Sequence, residues 1–109
     1  WFSNRNARGV LFQVQLARTS GAGTWLPSIV VDLDGQRGAN TFTLWSASQA
    51  KNATANYTYA MYPTDLSGWQ NLTEMMSVVG ALPFGNWRIT MTLTGSWNGS
   101  IVVLAQYLP

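Results

Sequence analysis

The chain contains no cysteine and no histidine among its 109 residues. The first absence excludes disulfides and thiolate metal sites. The second removes the side chain that most often moves protons near neutral pH. Charge is scarce too, at 9% of residues, against about 25% in typical soluble domains. Six cations face four anions. Arg5, Arg8, Arg18, Arg37, Lys51 and Arg88 are scattered singly, whereas a nucleic-acid binder concentrates its cations to displace counterions. A nucleic-acid partner is therefore not expected. Long apolar runs are missing, and none approaches the roughly 20 residues of a membrane helix, so no membrane partner is expected. No signal segment is visible. The first residue is Trp1 rather than Met, which reads as a processed or incomplete N-terminus.

What is present is apolar and aromatic. Hydrophobic residues make up 47% of a chain of one domain's length, enough for a single modest core. Residues 1–7 are polar and aperiodic apart from Trp1 and Phe2 and read as an N-terminal arm; residues 8–109 read as one domain. From Gly9, Val10, Phe12, Val14 and Leu16 alternate with Gln13, Gln15 and Ala17, the period of a half-buried strand. "TSGAGT" breaks it. "SIVVDLDG" is a second strand, with Ile29, Val31 and Leu33 on one face. "TFTLWSAS" places Phe42 and Leu44 opposite Thr41, Thr43 and Trp45, and "NYTYAMYP" aligns Tyr57, Tyr59 and Met61 before Pro63. Residues 72–78 fit either a short helix ending at Gly80 or an irregular connection.

The C-terminal stretch predicts a hairpin. Trp87, Ile89, Met91 and Leu93 alternate with Arg88 and threonines, "GSWNGS" follows, and Ile101, Val103, Ala105 and Tyr107 resume the pattern. Asn98-Gly99 supplies the positive φ angles of a tight turn, with Trp97 at its exposed tip. The whole reads as all-β: an antiparallel β-sandwich or jelly roll of six to eight short strands with at most one short helix.

The inventory for catalysis is four carboxylates, one lysine and hydroxyls. Asp32 and Asp34 share a strand face and, with Asn40 or a backbone carbonyl, could accept Ca²⁺. "DLDG" lacks the rest of a calcium loop, however, and reads as two solvent-facing acids entering a turn. Asp65 and Glu74 form no recognisable dyad with them, and "GAGTW" opens no phosphate-binding helix. No enzyme and no cofactor are expected. The six tryptophans and four tyrosines are the outlier. Trp87 reads as core. Trp25, Trp45, Trp69 and Trp97 read as partner contacts, since tryptophan dominates interface hot spots and stacks on sugar rings. A surface so poor in charge looks like one meant to be covered, and self-association, as a homotrimer, is expected. Asn52, Asn56, Asn71 and Asn98 each begin a glycosylation sequon, a pattern that an Asn- and Thr-rich chain also produces by chance.

Arg8-Gly9 opens "GVLFQVQLA"; "TSGAGT" and "SIVVDLDG" follow; Leu82-Pro83 precedes Trp87-Arg88 and an alternating strand. This order resembles the small β-sandwich structural proteins encoded in the head and tail gene modules of tailed bacteriophages, over residues 8–109. The resemblance implies a virion component on the capsid surface, a head decoration or cement protein bound to the major capsid protein or other virion proteins, without catalytic residues. Alternatives are a minor tail or head-tail protein, a carbohydrate-binding β-sandwich gripping glycans through those tryptophans, and a glycosylated extracellular filament subunit.

Overall fold

Strand alternation becomes layering once the strands pair. The computed structural model describes residues 1–36, 38–63, 71–75, 82–83 and 85–109. Among the described residues there are eight strands and no helix: β1 (Phe2–Asn4), β2 (Gly9–Ser20), β3 (Thr24–Asp32), β4 (Thr41–Ser46), β5 (Ala55–Met61), β6 (Glu74–Met75), β7 (Gly85–Thr94) and β8 (Asn98–Leu108). They form two four-stranded sheets, β1-β7-β3-β4 and β6-β5-β2-β8. Every pairing is antiparallel except the two-residue β5–β6 contact. The protein is an antiparallel β-sandwich.

The core lies between the sheets. The alternating side chains of β2 (Val10, Phe12, Val14 and Leu16) are all buried, as are Ile29 and Val31 from β3, Tyr59 and Met61 from β5, and Trp87 from β7. Phe12 stacks on Tyr59, and Trp45 meets both rings edge-on. Burial of these side chains drives the two sheets together.

Four expectations change. First, the segment read as an arm contributes β1, paired Phe2 to Trp87 on β7. Behind it Asn4 is buried; its amide donates to the carbonyls of Ala7, Leu82 and Pro83, while its Oδ1 accepts from the Ala7 N–H. Second, β3 starts four residues earlier than "SIVVDLDG", at Thr24, and runs through Pro27. Proline is tolerated there because pairing with β4 begins only at Ser28, so no ladder bond on that side needs its missing N–H. Third, β4 carries a bulge: Ile29 pairs with Trp45 and Val30 with Thr43, leaving Leu44 as the extra residue. The bulge puts Trp45 on the inward side with Ile29 and sets Phe42 opposite Val31, where, on the sheet-ending strand, it stays 55% exposed. Fourth, within residues 72–78, which fit a short helix or an irregular connection, Glu74 and Met75 are extended alongside Tyr59 and Ala60; residues 76–80 lie outside the described residues.

The predicted C-terminal hairpin does not form. β7 pairs with β1 and β3, whereas β8 pairs with β2 in the other sheet. The link Gly95-Ser96-Trp97 is an arch between layers, tied by the Gly23 N–H donating to the Ser96 carbonyl at 2.7 Å. Asn98 and Gly99 already belong to β8. A Cβ on Gly99 would run into the Ala17 carbonyl and the Trp97 ring, so this glycine serves close approach of β8 to β2 rather than a turn tip.

Candidate functional site

Of the tryptophans singled out as partner contacts, the three described, Trp25, Trp45 and Trp97, are buried or half-buried. Trp97 is buried in the core cluster, its indole N–H donating to the Asn52 carbonyl at 3.1 Å. Trp25 packs on it edge-to-face and pairs through its backbone with Lys51. That pairing holds the neighbouring Asn52 where its carbonyl meets Trp97. Trp45 is half-buried against Phe12 and Tyr59. Trp69 lies outside the described residues. The exposed-tip expectation for Trp97 is thus corrected: an aromatic at an inter-sheet arch points into the gap between layers, where it is shielded from water. Trp25 and Trp45, by contrast, keep part of their surface in contact with solvent. Trp87 is core as expected. Its N–H donates to the Tyr107 hydroxyl at 3.0 Å, which in turn donates to the Ser3 carbonyl at 2.7 Å, linking β7, β8 and β1.

The three described carboxylates, Asp32, Asp34 and Glu74, all accept hydrogen bonds. Asp34 Oδ1 accepts from the Gln36 N–H at 3.0 Å, and its other oxygen accepts from the Asn40 amide. Asp32 accepts from the Asp34 N–H and the Asn86 amide, both at 3.4 Å. Glu74 accepts from the Ser48 N–H and hydroxyl. Among the described residues no three metal-ligating side chains cluster, and no helix is long and apolar enough to cross a membrane. Burial, with a smaller push from Glu74 and then Tyr57, raises the Tyr59 hydroxyl to a pKa of about 12.

The surface that stands out is β8. It is bonded to β2 along its length and, among the described residues, ends its sheet on the other side. No residue of β8 is charged. Val102 and Leu104 are 47% and 54% exposed, and Val103 and Tyr107 are also solvent-accessible. The other sheet-ending strands are shorter: three residues in β1, six in β4 and two in β6. Edge strands are ordinarily blunted by lysines, proline, bulges or shortness. β8 has none of these along 98–108 beyond the register shift near its start, opposite Arg18 and Ser20.

Beside this edge the sandwich is open. β1 covers β7 only from Gly85 to Trp87. Where it stops, an apolar groove of about 290 Å³ lies between the layers, lined by Phe2, Ile89, Val103, Leu104 and Ala105. On the outer face of the same sheet a shallow depression of about 250 Å³ includes Gln13, Thr58, Leu104 and Gln106. There Gln15 donates to Gln13, and Gln13 to Thr58. Leu104 borders both hollows. The sequence reading assigned Ile101, Val103, Ala105 and Tyr107 to the core face and passed over Val102 and Leu104. Their signal was present: "IVVLA" is apolar at every position, so one of its two faces cannot be a conventional solvent face. No protein-family model matches the chain, and neither does any curated protein or solved structure.

Proposed function

We propose that the protein is a non-enzymatic assembly subunit, a virion structural protein of a tailed phage that decorates the head lattice at the capsid surface. The observation that carries the assembly reading is β8: eleven residues, uncharged, apolar on both faces and ending its sheet. Such an edge offers unpaired backbone groups and apolar side chains to another chain, and strand addition is a general mode of protein recognition. The lack of charge over residues 89–109 supports the same reading, because interface cores are depleted in charge. The phage assignment rests on the resemblance of residues 8–109 described above.

Quantitative mass spectrometry of purified virions tests it. Hundreds of copies per particle are the expected result for a lattice-bound subunit. A handful of copies moves the protein to the tail or the head-tail connection, and absence from the particle overturns the virion assignment.

A further inference from the structure

We propose that β8 pairs antiparallel with β8 of a second copy about a twofold axis at Val103, joining two four-stranded sheets into one of eight strands. The proposal deepens the assembly reading and names the partner.

An isologous contact requires a surface complementary to itself. The midpoint of Asn98–Leu108 is Val103, and about that residue the central seven positions, Ser100–Gln106, are a palindrome of polarity. Ser100 and Gln106 are polar, and the five positions between them are Ile101, Val102, Val103, Leu104 and Ala105. Antiparallel pairing about Val103 sets Val103 against itself, Val102 against Leu104 of the second copy, Ile101 against Ala105, and Ser100 against Gln106. Within Ser100–Gln106 every apolar side chain meets an apolar one and every polar one a polar one; at the ends Gly99 falls opposite Tyr107 and Asn98 opposite Leu108. No pair contains a charge, so no like charges oppose each other across the axis.

The faces agree as well. Val102 and Leu104 lie on the outer side of the sheet, next to Gln15 and Gln13, and would form one apolar patch flanked by amides from both copies. Val103 and Ala105 lie on the inner side, at the mouth of the groove with Phe2 and Ile89, which the second copy would cover. A strand of eleven residues is about 37 Å long. To reach the lower end, about 1,200 Å², of stable specific interfaces, edge and flanking side chains together have to bury about 600 Å² per copy. An isologous edge contact closes at two copies, unlike the homotrimer anticipated from sequence.

Sedimentation of the purified chain, over concentrations from about 1 to 100 µM, should show a monomer–dimer equilibrium. Leu104→Lys, at an exposed position, should weaken it at least about tenfold while leaving the circular dichroism spectrum unchanged. Val102→Glu serves the same purpose should that variant fold poorly. Because the chain has no cysteine, Val103→Cys carries a single thiol, and Cα atoms opposite each other in a strand pair fall within disulfide range. Mild oxidation should cross-link Val103→Cys and leave Phe42→Cys, at the edge of the other sheet, largely uncross-linked. A monomer throughout, a trimer, a dimer indifferent to both edge charges, or cross-linking at Phe42→Cys in preference to Val103→Cys each overturns the proposal. A chain present in virions yet monomeric overturns the pairing alone, whereas a solution dimer absent from virions overturns the virion assignment alone.

Discussion

Trp25 and Trp97 meet edge-to-face inside the sandwich, their ring centroids 5.8 Å apart and their planes at 87°. Trp97 comes from the arch between β7 and β8, and Trp25 from the start of β3. One aromatic contact therefore closes the end of the sandwich where the chain changes layers. The ring edge of one indole carries positive charge and the face of the other negative charge, which favours this geometry. The Trp97 N–H is satisfied by the Asn52 carbonyl, so the buried polar edge carries no desolvation penalty.

Trp97→Ala should consequently cost stability, about 3–5 kcal/mol, because it opens a cavity beneath the arch. Val103→Ala, on the exposed edge, should change monomer stability by less than about 1 kcal/mol. Urea denaturation of both variants, below the concentration at which copies associate, checks the contrast. Equal effects of the two substitutions would contradict the placement of Trp97.

Asn4 holds β1 and the turn after it through four hydrogen bonds. Asn4→Ala leaves three carbonyls and one N–H without that partner and should cost about 1–3 kcal/mol. Asn4→Asp keeps the acceptor for Ala7 but turns a carboxylate oxygen toward the carbonyls of Ala7, Leu82 and Pro83. At neutral pH it should be the worse of the two, and part of its loss should be recovered on acidification, which the urea midpoint will show.

Gly21 and Gly35 both have positive φ, 95° and 77°, but different surroundings. A Cβ on Gly21 would strike the Ser96 carbonyl and crowd the Trp97 backbone, whereas one on Gly35 meets nothing within 4 Å. Gly35→Ala should cost about 1 kcal/mol from backbone strain. Gly21→Ala should cost about 2–4 kcal/mol, since the arch must also shift. Thermal denaturation ranks them, and the reverse order would contradict the packing of the arch.

Tyr59 predicts an alkaline effect. Its hydroxyl, raised to about 12 in the fold by burial first and by Glu74 and Tyr57 after it, returns to about 10 in the unfolded chain. The unfolded state therefore loses this proton first. The stabilising contribution is complete below pH ~10 and is lost as pH rises toward ~12. Tyr59→Phe should lessen the fall in the urea midpoint over that window. An unchanged alkaline profile would contradict the assignment to Tyr59.

Strand content was legible in the sequence because alternation is a local property. Val10, Phe12, Val14 and Leu16 announce the buried face of β2 through their spacing alone, and Tyr57, Tyr59 and Met61 do the same for β5. Scarce charge and the lack of cysteine and histidine are matters of composition and need no fold to be read. Neighbourhood was decided only by the tertiary structure. Asn98-Gly99 looks like a hairpin turn, but a turn signal reports backbone conformation, not which sheet receives the next strand. Here Val10, Phe12, Val14 and Leu16 take Tyr107, Ala105, Val103 and Ile101 as cross-strand neighbours, so β8 leaves β7 and joins the opposite layer. That choice draws Trp97 inward and leaves "IVVLA" at the rim. Both outcomes arise from pairings between residues far apart in the chain, which the polarity of neighbouring residues does not encode.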